Sequence, residues 1–229
     1  MDTLEWLNLT RHGESTGNVA YYAAADDAEE NGIAERDADI PLSDRGREQA
    51  AALGRWLAKL PEDERPTLLL ASPYLRTRDT AEIALAQIPY PLEIHTDERL
   101  RDRDQGVLEG LTPLGIRRRF PEEWERKRRI GKFYYRPPGG ESWTDLALRL
   151  RSLYQDVRAE APGGRVLVVT HDAIVVVTRY LVEHLTEREI LEIEKTPVAN
   201  CSITRWRQDG GRLRTVSYND CGHLADPGR

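Results

Sequence analysis

RVLVVTHDAIVVV, residues 165–177, decides how the chain folds. An apolar run, Arg165–Thr170, stops on His171-Asp172, and a second run (Ala173–Val177) follows that is apolar nearly all round. The first run reads as a buried strand, and the second as a covered helix opening at Asp172. A strand that feeds directly into a helix is the repeating unit of an α/β fold built on parallel strands.

The same junction occurs twice more. Leu4–Thr10 ends on Arg11-His12-Gly13-Glu14, and Thr67–Ala71 ends on Ser72-Pro73, with Arg76 one turn further on. Helices are expected after each polar break. One follows Pro41-Leu42-Ser43, with Ser43 as its cap and Ala50, Leu53, Leu57 and Leu60 on one face. A second starts near Pro73 and runs through Ala81, Ala84 and Leu85. A third opens at Ser142 and aligns Leu146, Leu150, Leu153 and Val157. The tail, NCSITRW and RLRTVSY about Gly210-Gly211, reads as a hairpin.

Composition narrows the functional classes. With 229 residues, 39% hydrophobic and 31% charged, the chain reads as one globular domain, 1–229, with room for a sizeable core. A net charge of −6 argues against a nucleic-acid binder, and no apolar stretch is long enough to span a bilayer. The start of the sequence lacks the pattern of a signal peptide, and the two cysteines, Cys201 and Cys221, form no metal or disulfide framework. The expectation is a cytoplasmic protein that binds neither membrane nor nucleic acid, with its oligomeric state left open. Charge is unevenly spread: an insert near residues 19–40 is acidic, while a stretch near 100–140 is irregular, basic and reads as a cap.

Ligands of open α/β sheets bind outside the carboxyl ends of the strands. If the three strands are neighbours, Arg11, His12, Ser72, Arg76, His171 and Asp172 meet at one edge. Guanidinium groups match phosphoryl oxygens, and a neutral imidazole between them can attack phosphorus to give a covalent intermediate that water cleaves. Fixed cations around an in-line nucleophile serve phosphoryl transfer without a metal. Neither metal nor cofactor is therefore expected, and no His or Cys pair sits at ligand spacing. A Ser-His-Asp hydrolase from Ser72, His171 and Asp172 carries little weight, because no Gly-x-Ser-x-Gly elbow frames a serine.

LTRHGESTGN, LSDRGREQA, SPYLRTRDTAE, LRDRDQGVLEGLT, PPGGES and VVTHDA, in that order, resemble the histidine phosphatase superfamily, whose fold is phosphoglycerate mutase-like. The resemblance implies a three-layer α/β sandwich with a mixed, mostly parallel sheet and helices on both faces. It implies that His12 is the phosphorylated nucleophile, that Arg11, Arg76 and His171 line the phosphate pocket, and that Ser15, Asn18, Asp172 and Asn200 add polar contacts. Glu14 would orient the loop. The leaving oxygen needs a proton, and Asp102 stands where the family commonly has a glutamate, with Asp104, Glu98 and Glu109 as competitors.

The resemblance implies a histidine acid phosphatase-type phosphomonoesterase acting on a phosphorylated small molecule or a phosphoprotein. The alternatives are a cofactor-dependent phosphoglycerate mutase-type phosphotransferase and a catalytically silent relative that binds phospho-ligands. The mutase branch typically carries ERHYG and GLNK where this chain has DRDQG and GLTP, which favours hydrolysis. Two further expectations follow from charge. The basic stretch Arg117–Arg136 would select substrates with more than one anionic group, and the acidic insert would fold over it and gate entry.

Overall fold

The three apolar runs lie side by side. A computed structural model of the chain, describing residues 4–224, places β1 (Trp6–Arg11), β2 (Leu68–Ala71), β3 (Ile94–Thr96), β4 (Arg165–Thr170), β5 (Ile203–Asp209) and β6 (Arg212–Asp220) in one sheet. The order is β3-β2-β4-β1-β5-β6, with β5 running antiparallel to its neighbours and the others parallel. The carboxyl ends of β2, β4 and β1 are thus consecutive. The His12 and Ser72 amides, bonded to the Thr170 and Val169 carbonyls, hold the three ends level.

Among the described residues, eight α-helices accompany the sheet: α1 (Thr16–Ala23), α2 (Asp44–Ala58), α3 (Leu75–Leu85), α4 (Pro113–Arg119), α5 (Pro121–Ile130), α6 (Trp143–Glu160), α7 (Asp172–Val182) and α8 (Glu187–Ile193). Strand side chains alternate between two cores, as a pleated sheet requires. Leu7, Leu9, Val166 and Val168 pack with Leu146, Leu150 and Ile174 of α6 and α7. Trp6, Leu69, Leu167 and Val169 pack with Leu53, Leu57 and Ala81 of α2 and α3. This is the three-layer arrangement expected. Each fully buried leucine contributes about 1.5–3 kcal/mol relative to exposure. The caps also match: Ser43 Oγ accepts from the Gly46 amide, and Ser142 and Asp145 form a reciprocal capping box.

Residues 100–140 are not irregular, however. They hold α4 and α5, each opening on a proline, with Thr112 capping the first. Both helices are largely exposed, with Gly115 and Glu123 their only buried residues, so no apolar stripe marks them in the sequence. The short helix α1 buries only Gly17, and the edge strand β3 has three partly exposed residues, so neither has a readable period.

The acidic insert does pack on the basic cap. Glu29 pairs with Arg118 at 3.1 Å and Arg119 at 2.9 Å, and the Thr112 amide bonds to the Glu29 carbonyl. Among the described residues, no helix is long and apolar enough to cross a membrane. Cys201 and Cys221 are both free thiols.

Candidate active site

The nucleophile candidate follows from the loop after β1. Gly13 lets that loop press on the first turn of α2, where a Cβ would lie 2.4 Å from the Gly46 carbonyl oxygen. The Gly13 amide donates to Thr80 Oγ1 on α3, which in turn donates to the Arg76 carbonyl. The His12 loop and the Arg76 helix are therefore locked together. His12 is buried at 3% exposure, and its Nδ1 lies 2.7 Å from the Gly13 carbonyl. A carbonyl only accepts, so Nδ1 carries the proton and Nε2 keeps its lone pair.

Arg76 faces that lone pair. Its Nε donates to His12 Nε2 at 3.2 Å, and its Nη2 lies 3.3 Å from both His171 Nδ1 and Asp102 Oδ2. His171, at the start of α7, is fully buried and pairs through Nε2 with Ser72 Oγ at 2.9 Å. The two imidazole centroids are 5.3 Å apart. Burial drives the pKa of His12 well below its ordinary value, with Arg76, Arg11 and His171 adding to the effect. Burial also lowers His171, with Arg76 and Arg11 next in size. Both rings are thus neutral near pH 7. Arg11 donates to the Val198 carbonyl at 2.6 Å, while its buried Nε has no partner among the described residues. An unfilled donor beside two neutral imidazoles and a second guanidinium suits an anion. The N-termini of α1, α3 and α7 open close to these residues and favour negative charge as well.

The structure brings His12, Arg11, Arg76, His171 and Asp102 together. The carboxylate of Asp102 also lies 3.4 Å from His171 Nδ1. Three other expected residues serve the loop. Ser15 caps α1 in a box with Asn18, and Asn200 donates to the His12 carbonyl and to Asn18 Oδ1, each at 3.0 Å. Asn18 and Asp172 line the adjoining cleft, where burial raises the Asp172 carboxyl. Glu14 accepts from Ser43 Oγ at 2.7 Å and anchors the loop to α2.

The cleft encloses about 640 Å³, and its lining carries charges of both signs. Its acids include Asp37, Asp102 and Glu109, and the charges of Asp37 and Asp102 add to burial in pushing Glu109 up to about 7. Its cations are Arg11, Arg103 and Lys132, and Lys132 is ion-paired with Glu194 on the same lining; Lys132 and Arg103 both lower the pKa of Lys127 further after burial does so. Sequence reasoning missed Asp37, Arg103, Tyr21 and Tyr22 on this lining. Their only signal is position: Asn18, Tyr21 and Tyr22 share the i, i+3, i+4 face of α1. Most cations of the basic stretch do not reach the cleft. Arg118 and Arg119 pair with the insert, Arg126 and Arg128 with glutamates of α5, and Arg136 with Asp145.

A mixed, mostly parallel six-stranded sheet covered by helices places the protein among phosphoglycerate mutase-like α/β folds. The family model for the histidine phosphatase superfamily, branch 1, matches residues 7–221, and the chain belongs to that superfamily. It is 30% identical over 225 residues to a 2,3-bisphosphoglycerate-dependent phosphoglycerate mutase 2 of Gloeobacter violaceus, covering 96% of this chain and 94% of the relative. Among solved structures, Bacillus stearothermophilus YhfR superposes with a TM-score of 0.76 at 26% identity, covering 96% and 99% of the two chains. A mycobacterial glucosyl-3-phosphoglycerate phosphatase superposes at 0.74 with 25% identity, covering 94% and 99%.

Proposed function

We propose that the protein is a phosphatase that hydrolyses phosphomonoesters through a phosphohistidine on His12. The observation that carries this reading is the neutral imidazole whose Nε2 lone pair faces the Arg76 guanidinium. A phosphoryl dianion takes over the donors of Arg76, Arg11 and His171, and Nε2 attacks phosphorus in line with the ester oxygen. The P–N bond forms as the P–O bond breaks, and Asp102 gives its proton to the leaving oxygen. Water then enters beside Asp102, loses a proton to the carboxylate and attacks phosphorus. Cleavage of the P–N bond restores the imidazole and releases inorganic phosphate.

The cations on the cleft lining give the reading its substrate class. Arg103, and Lys132 once it exchanges Glu194 for a ligand anion, suit a leaving group that bears a second anionic centre. Hydrolysis is favoured over transfer because the tyrosine and lysine of the mutase motifs are absent from DRDQG and GLTP. The similarity to a named phosphoglycerate mutase supports the second reading, a mutase-type phosphotransferase. A panel of phosphomonoesters assayed beside a phosphoglycerate mutase assay separates the two. Acid-labile, base-stable label on wild-type protein, absent from His12→Ala, is expected together with phosphate release. Mutase turnover exceeding hydrolysis would replace the first reading with the second, and the absence of any label would remove both.

A further inference from the structure

Through Asp37 the acidic insert touches Arg76 directly. A guanidinium presents two-donor forks, and the edge made by Nε and Nη2 of Arg76 faces His12, His171 and Asp102. The remaining nitrogen, Nη1, points elsewhere. It donates to the Asp37 backbone carbonyl and lies 3.0 Å from Asp37 Oδ1. Arg76 is buried at 4% exposure, so its orientation is set by these partners and not by solvent. Asp37 sits in a short helical turn (Asp37–Asp39) at the end of the insert, whose earlier part is pinned to the cap through Glu29 and Arg119.

From this geometry we infer that Asp37 is a positioning residue: it grips Arg76 by Nη1 and so aims the Nε–Nη2 fork at the phosphoryl group. The inference rests on Arg76 being a phosphate ligand, as in the phosphatase reading, and it gives the acidic insert a fixed role in place of a gate. The opposite role for the same contact is a resting competitor, a carboxylate that occupies Arg76 until substrate displaces it. The two roles predict effects of opposite sign.

The experiment measures inorganic phosphate binding by calorimetry and kcat and KM on a phosphomonoester, for Asp37→Ala, Asp37→Asn and Glu35→Gln. Glu35 is an exposed acid of the same insert, and its variant controls for loss of insert charge. Misaiming a buried clamp by about 1 Å costs up to about a hundredfold. The backbone carbonyl of Asp37 survives in every variant, so about a tenfold weakening of phosphate binding, with a fall in kcat, is expected for Asp37→Ala. Asp37→Asn keeps an acceptor oxygen and should recover most of the loss, while Glu35→Gln should match wild type. In an Arg76→Met background, Asp37→Ala should cause no further weakening of phosphate binding or fall in kcat, because the positioning acts through that guanidinium; the one remaining effect, removal of a cleft carboxylate, can only favour the anion.

Tighter phosphate binding in Asp37→Ala would overturn the inference in favour of the competitor. Lower thermal stability with unchanged binding and kinetics would reduce Asp37 to a structural contact. The binding measurement needs no turnover. A protein that binds phosphate through Arg76 and Asp37 but forms no phosphohistidine would therefore keep this inference and lose the phosphatase reading.

Discussion

Replacing Asp102 by asparagine tests how the leaving oxygen receives its proton. The substitution preserves size, and an amide oxygen can still accept from Arg76 Nη2, now 3.3 Å from the carboxylate. The pocket for the phosphoryl group stays intact, so KM should move by no more than about threefold. What disappears is a proton donor, and positioned general acids supply about 10²–10⁴-fold. An alkyl phosphate, whose alkoxide leaves only when protonated, should lose that full factor in kcat/KM. A nitrophenyl phosphate, which leaves as a stable anion, should lose less than about tenfold in its first turnover. Its second step still needs Asp102 to accept a proton from water. Rapid mixing should therefore show a burst of nitrophenolate equal to the enzyme present, followed by slow release. Equal losses on both esters, with no burst, would refute the assignment. If instead Glu109→Gln gave the leaving-group dependence, the proton would come from Glu109 on the same cleft lining.

Other outcomes follow from the same geometry. In Gly46→Ala the new Cβ would lie 1.9 Å from the Glu14 carbonyl oxygen; the loop carrying His12 must shift, and urea unfolding should show a loss of about 1–3 kcal/mol with reduced turnover. Glu109 is held at about 7 in the folded protein against 4.5 in model compounds, so it binds more protons folded than unfolded between those values, and its ionisation destabilises the fold as pH rises through that window. Thermal melts should accordingly show Glu109→Gln gaining stability over wild type at pH 7–8, with the difference vanishing near pH 4. His12 and His171 have lowered folded pKa values, so they bind fewer protons folded than unfolded, and stability should fall as pH drops below about 6.5. Charge reversal in Lys132→Glu should raise KM for esters with a second anionic group and flatten its dependence on ionic strength, while leaving a neutral-tailed ester little changed.

The βα junctions were legible because burial and local geometry act on neighbouring residues. An apolar run ending on Arg11-His12 or His171-Asp172 states its strand, its break and its helix within about a dozen positions, and capping serines mark α2 and α6. Motif order then pointed to a phosphoglycerate mutase-like fold. Helices α4 and α5 were not read, since an exposed, highly charged helix has no apolar stripe, although the prolines at their first turns were a usable signal. Ser15 and Asn200 were placed near the right loop, but sequence could not say whether they face a ligand or the backbone.

By itself, then, the sequence determined which strands are buried, where each breaks, and which histidines and arginines stand at the breaks. Only the tertiary structure decided that β2, β4 and β1 are consecutive, that Nε2 of His12 carries the lone pair and turns it to Arg76, and that Asp37 pairs with the same arginine as Asp102. The physical reason is range. Helix periodicity and capping are settled between residues a few positions apart, whereas tautomer, charge balance and clamp geometry depend on groups brought together across dozens of residues. Arg76 meets His12 across 64 positions and His171 across 95, and no local pattern records either meeting.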